Sequence, residues 1–284
     1  MNLNPTACFL CLAAVLAHLE VPAGTLAQFR TVFGDIEVEL FDQHKPVTVQ
    51  NFVRYVQSGL YQDGFIHRCE PAFVIQGGGF LVMDRTSSSP WIASIPTFSP
   101  IVNEYTNGAI YSNVYGTIAM ARQGGVTNSA TSQWFFNLAN NSFLDSVDGG
   151  FTAFGRVVRG TNVLNVFRTF TTGNRATNVI RDFRSVLGPA FGSLPLLTTN
   201  ATFGDLLYVD VSLLNVRVRR LTNEACRIAW RSVGGKTNRV EYSNRLPPVN
   251  WQLLIATNGN GATFNVTDSS TNAARRFYRV RVDY

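Results

Sequence analysis

Apolar and polar positions alternate in short runs along most of this chain, a texture that reads as β-structure. Ile36, Val38 and Leu40 alternate with Glu37 and Glu39, as in a half-buried strand. An earlier run, Phe29 to Val32, is set off from it by Phe33-Gly34-Asp35, a turn signal. The period then changes. Val49, Phe52, Val53 and Val56 recur at helical spacing after Pro46, which suits a first helical turn, and Gly59 marks the end. A strand-like run follows from Arg68 to Gln76, with Phe73 and Ile75 expected on one face and Val74 and Gln76 on the other. Pro71 bends the chain between Arg68 and Phe73, and Gly77-Gly78-Gly79 permits a sharp turn afterwards.

Residues 84–115 are polar, carry Pro90, Pro96 and Pro100, and are expected mainly as loop. Short strands are predicted over Thr117 to Ala121, Gln133 to Leu138 and Thr152 to Val158, with a small-residue loop from Gln123 to Thr131. Val163, Leu164 and Phe167 suggest a second short helix. Residues 169–204 show no clear period and read as an enlarged loop before Leu206 to Leu214, a strongly apolar strand. Beyond Arg217 the alternation returns. Cys226, Ile228 and Trp230 alternate with Arg227, Ala229 and Arg231, Val240 and Tyr242 with Arg239, Glu241 and Ser243, and Phe277 to Val282 alternates again. Strands at about this spacing suggest a small β-sandwich.

Charge sharpens that division. Residues 1–216 carry 12 Lys and Arg against 14 Asp and Glu, whereas residues 217–284 carry 12 against 4. A basic tail could meet nucleic acid, anionic lipid or polysaccharide, but charge scattered along strands also fits solvent-facing arginines on an ordinary β domain. The length of 284 residues allows one large domain or two modest ones, and 45% hydrophobic against 15% charged residues excludes global disorder.

At the N-terminus an apolar run from Ala7 to Leu19, broken only by His18, is too short for a comfortable membrane span and reads as the apolar region of a secretory signal. Ala23, Gly24 and Ala27 offer cleavage points, although Met1 to Thr6 carries no Lys or Arg. A retained anchor is the alternative. Cys69 and Cys226, in different predicted domains, make neither a disulfide framework nor a metal site, and each is expected to be a small apolar residue.

Arg68, Phe73 and Gln76 carry the first chemical signal. A guanidinium and an amide beside an aromatic wall could orient an extended peptide; an ordinary strand with a solvated arginine fits this stretch equally well. Other chemistries find little support. The histidines are His18, His44 and His67, with no nucleophile-elbow motif near any serine, and Gly77-Gly78-Gly79 lacks the rest of a phosphate-binding loop.

The stretch Phe65-Ile66-His67-Arg68-Cys69-Glu70-Pro71-Ala72-Phe73-Val74-Ile75-Gln76-Gly77-Gly78 resembles the core motif of the cyclophilins, with one residue inserted between Phe65 and His67. A second block, Gly116 to Arg122 then Ser129 to Phe136, resembles the family's other signature in its bacterial form. A third, Phe143-Leu144-Asp145 with Phe151 to Val157, fits the closing part, and the resemblance spans roughly Ala27 to Asn215. It implies a mainly β fold: an eight-stranded cyclophilin-like barrel capped by two helices, closed by Leu206 to Leu214. It also implies Arg68 as the catalytic residue. Phe73, Val74, Phe135 and Leu144 match the proline pocket, with Phe143 and Phe151 at the rim. Gln76 and the backbone around Ala121, Arg122 and Gln123 match the peptide-holding positions. Phe143 stands where the cyclosporin-binding members have Trp, Phe151 where they have His, Val74 for a common Met, and Trp134 for Phe, so cyclosporin sensitivity is in doubt while activity is expected. The tail resembles, less closely, fibronectin-III-like modules of secreted bacterial proteins.

These readings combine into a periplasmic or secreted peptidyl-prolyl isomerase. The expected parts are a signal peptide over 1–24, an isomerase domain over 25–216 and a β-sandwich module over 217–284. Its partners would be proline-containing polypeptides, with cell-surface or polysaccharide contact through 217–284. No cofactor, metal or nucleic acid is expected, and a monomer is. The alternatives are a non-catalytic proline-peptide scaffold and an adhesin-like protein acting through its basic tail.

Overall fold

The structure is a computed structural model that describes residues 25–173, 175–214, 216–221, 224–232, 237–245, 250–260, 262–270 and 275–283. The predicted signal segment 1–24 and the predicted boundary at Asn215 lie outside the described residues. In chain order come β1 (Leu26–Thr31), β2 (Gly34–Leu40), α1 (Pro46–Gln57), β3 (Arg68–Cys69), β4 (Val74–Gly77), β5 (Phe80–Met83) and β6 (Trp91–Ser94). β7 (Thr117–Met120), β8 (Trp134–Asn137), β9 (Ala153–Arg159), α2 (Thr161–Phe167), β10 (Thr177–Arg181), α3 (Arg184–Leu187), β11 (Leu194–Thr198) and β12 (Asp210–Leu213) follow. The last six strands are β13 (Val216–Arg220), β14 (Cys226–Arg231), β15 (Thr237–Ser243), β16 (Gln252–Asn258), β17 (Thr263–Asp268) and β18 (Phe277–Asp283).

Eight strands form one antiparallel sheet in the order β12-β1-β2-β9-β7-β8-β4-β3. Its two edges are stitched together just outside the ladders: Ile66 N donates to Leu207 O and Val209 N to Gly64 O, each at 2.9 Å. The curled sheet therefore closes through these flanking segments rather than through β12 and β3 themselves, and the outer edge of β3 is met instead by the Ser193 carbonyl, which accepts from Cys69 N. Inside lie Phe29, Val38, Ile75, Ile118, Trp134, Phe136 and Phe154, joined by Val49 and Phe52 from α1 and Leu164 and Phe167 from α2. Phe29 is T-shaped to both Trp134 and Phe136, at 4.9 and 5.0 Å between ring centres. Trp134, read as a departure from the family's Phe, thus faces the core, and Gly77 is small because an added Cβ there would come within 2.7 Å of that indole.

Helix α1 begins where expected, with Pro46 in its first turn. Its open N–H groups are met from a distance: Glu104 accepts from Val47 N, Thr48 N and the Thr48 hydroxyl. Lys45, buried just before the helix, donates from Nζ to the carbonyls of Glu104, Tyr105 and Asn107. These contacts pin the segment around 104–107 to α1.

Several expectations need correction. The run from Arg68 to Gln76 is not one strand: β3 and β4 form a hairpin, with Arg68 opposite Gln76. Residues 84–115 are mainly loop as expected, apart from β6, which pairs with β5. Residues 169–204 are not an unstructured loop. They hold the β10–β11 hairpin and α3, and build a second apolar cluster in which Phe191, Leu194 and Leu196 pack with Phe65 and Val82. Of Leu206 to Leu214, Asp210–Leu213 alone joins the sheet, pairing with β1, while 207–209 makes the stitch. Ala27, a suggested cleavage point, is buried inside β1 and opposite both Val38 and Leu213, so a cut there would remove the start of a barrel strand.

The last strands form two three-stranded sheets, β13-β14-β17 and β16-β15-β18. Ile228, Trp230 and Phe264 of the first meet Val240, Val280 and Leu254 of the second in one apolar layer. Alternation produced this in β14, β17 and β18, where Cys226, Ile228 and Trp230, Phe264 and Val266, and Tyr278 and Val280 face the shared layer.

Candidate active site

A single row of paired residues runs across five strands. Arg68 on β3 stands opposite Gln76 on β4, Gln76 opposite Phe135 on β8, Phe135 opposite Ala119 on β7, and Ala119 opposite Ala153 on β9. Residues directly opposite on neighbouring strands share a sheet face. Their sequence neighbours Ile75, Phe136 and Ile118 point the other way, into the core. The row therefore lies on the outer face of the barrel. Ala119 and Ala153 keep its middle low, and Val74, Phe135 and Leu144 form a small apolar cluster there with Phe73, Ala121 and Phe151 packed against it.

This face carries a hollow of ≈ 200 Å³ lined by Arg68, Phe73, Val74, Gln76, Ala121, Arg122, Phe135, Leu144 and Phe151. Phe73 was expected to face with Ile75. Instead it lines the hollow beside Val74, because it sits in the turn before β4, where strand alternation does not yet apply. Phe143 stacks on Phe73 at 5.7 Å between ring centres and is 57% exposed, a rim position. Gln123 is exposed in the following loop, outside the lining; its backbone N–H donates to Ser129 Oγ. The structure thus brings nine of the eleven predicted residues together, sets Phe143 at their edge and leaves Gln123 apart.

The two cations in the hollow differ in freedom. Arg68 is half-exposed, with Nε 3.8 Å from Glu70 Oε1 and the guanidinium carbon 5.6 Å from the centre of the Phe73 ring. Neither Nη atom has a hydrogen bond among the described residues, so both remain available to the hollow. Arg122 has only 3% of its side chain exposed. Its guanidinium lies 4.1 Å from the centre of the Phe151 ring, and Nη2 donates to the carbonyls of Val147 and Asp148 at 2.9 and 3.0 Å. Burial lowers its affinity for a proton and Asp148 opposes that effect. Nη2 also reaches the Gly150 carbonyl, so Arg122 ties down the rim turn 147–150, while its buried Nε and Nη1 have no hydrogen-bond partner among the described residues and Nη1 lies 3.7 Å from Asp148 Oδ2.

Sequence reasoning missed the groups behind the row. Gln76 Nε2 donates to Gln133 Oε1 at 2.7 Å, which fixes the Gln76 amide. Gln133 stands two residues before Phe135, and strand alternation would have put it on the same side. His67, beside Arg68, is buried in T-shaped contact with Phe80. Burial, with the Arg68 charge adding to it and a hydrogen bond with Gln133 opposing, pushes its pKa down to about 4. The imidazole is therefore neutral at neutral pH. Burial also pushes the Cys69 thiol up, so it offers no thiolate nucleophile. The site is an apolar dish with one free guanidinium and one fixed amide.

Known proteins are similar to this chain over most of the barrel region. The family model for cyclophilin type peptidyl-prolyl cis-trans isomerase/CLD matches residues 26–183. A peptidyl-prolyl cis-trans isomerase of Acinetobacter baylyi is 37% identical over 156 residues, covering 54% of this chain and 77% of the relative. Peptidyl-prolyl cis-trans isomerase A of Dickeya dadantii is 40% identical over 175 residues, covering 57% and 86%. Peptidyl-prolyl cis-trans isomerase B of Escherichia coli is 38% identical over 153 residues, covering 52% and 87%. The family match stops short of β12, which the inserted hairpin separates from the rest of the barrel. From the closed eight-stranded barrel and these matches, the chain belongs to the cyclophilin type peptidyl-prolyl cis-trans isomerase family, and peptidyl-prolyl cis-trans isomerisation is its reaction.

Proposed function

We propose that the hollow beneath Arg68 is where this isomerase turns an X-Pro bond, and that Arg68 is the catalytic residue. The uncatalysed barrier comes from partial double-bond character in the C–N bond, ~18–20 kcal/mol for peptide rotation. Lowering it requires no nucleophile and no proton transfer. It requires binding the twisted amide better than either planar form. On twisting, the prolyl nitrogen regains a lone pair and becomes an acceptor. A guanidinium stays charged at any relevant pH and has donors to meet it. The two unengaged Nη groups of Arg68 at the edge of an apolar hollow are the observation that carries this reading. Phe73, Val74, Phe135 and Leu144 hold the proline ring, Gln76 holds a flanking peptide group, and Phe143 and Phe151 form the rim. Ala121 stays small where the chain passes. Arg68→Ala should abolish most turnover of an X-Pro peptide with the fold intact; wild-type turnover in that variant would sink the mechanism.

The same proposal sets the enzyme in the periplasm or outside the cell, on the strength of the Ala7 to Leu19 apolar run, and takes it as a monomer. It divides the chain into an isomerase domain over 25–216 and a fibronectin-III-like module over 217–284. The charge reversal and the separate apolar layer around Trp230 support that division. On β13 and β14, Arg219 stands directly opposite Arg227, with Arg217 two residues along on the same face, and none of the three has an ion pair among the described residues. Like charges directly opposite are unfavourable, so an anionic partner relieves them. That face carries Ala229, Asn265 and Thr267 rather than aromatic rings, which suits an acidic polysaccharide better than stacked bases. Retention of the tail on an acidic-polysaccharide column, lost in Arg219→Ser with Arg227→Ser, tests this.

A further inference from the structure

The inserted segment between α2 and β12 reaches the site from behind. Ser193, at the foot of β11, makes two contacts there. Its carbonyl accepts from Cys69 N at 2.8 Å, covering the open edge of β3, and its hydroxyl donates to Glu70 Oε1 at 2.6 Å. The same Oε1 lies 3.8 Å from Arg68 Nε. The backbone of Glu70 is itself fixed: its N–H donates to Val74 O and its carbonyl accepts from Phe73 N, each at 2.8 Å. Phe191 and Leu194, on either side of Ser193, are buried in the second apolar cluster, so the hydroxyl is carried on an anchored element.

We propose that Ser193 and Glu70 form a positioning relay for Arg68. Glu70 holds the Nε side of the guanidinium and leaves both Nη groups directed at the hollow, and Ser193 keeps the carboxylate from swinging away. A half-exposed arginine on a flexible stem otherwise spreads over several rotamers, most of them unproductive. Holding it in one geometry is worth rate rather than affinity, because the contact that matters exists in the twisted amide alone. The relay also gives the inserted hairpin a role: 123 residues separate Ser193 from Glu70 in sequence, and the insertion delivers a hydroxyl to the catalytic strand. This inference rests on Arg68 acting at the prolyl nitrogen.

The test uses the full chain with Glu70→Gln, Ser193→Ala, Ser193→Thr and the double variant Glu70→Gln/Ser193→Ala, and Arg68→Ala as reference. A loosened positioning contact should cost roughly three- to tenfold in kcat, with KM close to wild type. Ser193→Thr, which keeps the hydroxyl, should restore most of it. The double variant should lose no more than Glu70→Gln alone, because both act along one path. The ¹⁵N resonance of Arg68 Nε should move in Glu70→Gln and Ser193→Ala and return in Ser193→Thr. Wild-type kcat in both single variants overturns the relay, as does a loss of rate matched by a loss of folded protein with no change at Nε. If Arg68→Ala itself is fully active, the mechanism under Proposed function fails. If it is inactive while Glu70→Gln and Ser193→Ala are normal, the relay alone fails.

Discussion

Replacing His67 by glutamine should remove an acid sensitivity that the fold builds in. His67 is buried beside Phe80, Phe191 and the Arg68 charge, and its pKa falls from 6.5 to about 4. An imidazole in the unfolded chain takes its proton as pH drops through 6.5, whereas the folded one resists until about 4. In that window the unfolded state binds more protons, so stability falls as pH falls. Above pH 6.5 both forms are neutral and the effect vanishes. One pKa unit corresponds to about 1.4 kcal/mol, so two units, from pH 6.5 to 4.5, cost about 2.5 kcal/mol after slight protonation of the folded form. Glutamine does not titrate and retains an amide for Gln133. Urea unfolding at pH 7.5 and 4.5 reads the difference directly. The variant should be destabilised at pH 7.5 by lost packing, and should then lose about 2.5 kcal/mol less than wild type on acidification. Carboxylates that also titrate cancel between the two proteins, provided they lie away from the site. Parallel pH dependence in wild type and variant would refute the reasoning and mean that the buried imidazole is protonated or solvated in the folded state.

Three further outcomes are expected. Phe143→Trp should strengthen cyclosporin binding, since an indole adds apolar area and an N–H donor at the exposed rim position stacked on Phe73; calorimetric titration showing equal or weaker binding would count against the pocket assignment. Lys45→Met should lower stability by roughly 2–4 kcal/mol in chemical denaturation, because three backbone carbonyls lose a charged donor in a buried setting. A chain covering 25–216 should stay soluble and keep most X-Pro turnover, whereas one ending before Leu206 should aggregate, having lost β12 and the 207–209 stitch; an inactive longer form would make the tail part of the isomerase fold.

How much was legible in the sequence depended on the range of the cause. Local causes read through well. Alternation over Ile36 to Leu40, the Pro46 start of α1 and the short tail strands all appear where pattern put them. The site residues were singled out by motif spacing, and the ladder Arg68–Gln76–Phe135 shows how that spacing places them on one face. What failed depended on distant partners. The β10–β11 hairpin has Pro195 in one strand and Gly, Thr and Asn around it, and its apolar residues pack on Phe65 and Val82 from far earlier in the chain. Ser193 and Glu70 carry no mutual signal at all. Phe73 misled because a turn residue was read with a strand's alternation.

The register of the barrel has a consequence for its synthesis. Ala27 pairs with Leu213, so the first strand is hydrogen-bonded on one side to the last strand of the sheet. At ~5–20 residues per second of translation, the chain waits on the order of 10–40 s between making β1 and making its partner. Through that interval β1 and β2 form a ribbon with an open side, able to pair with any extended strand nearby. A factor that shields nascent chains, or a route that delivers the finished chain all at once, would matter more for this barrel than for one whose first strand pairs with its immediate neighbours alone.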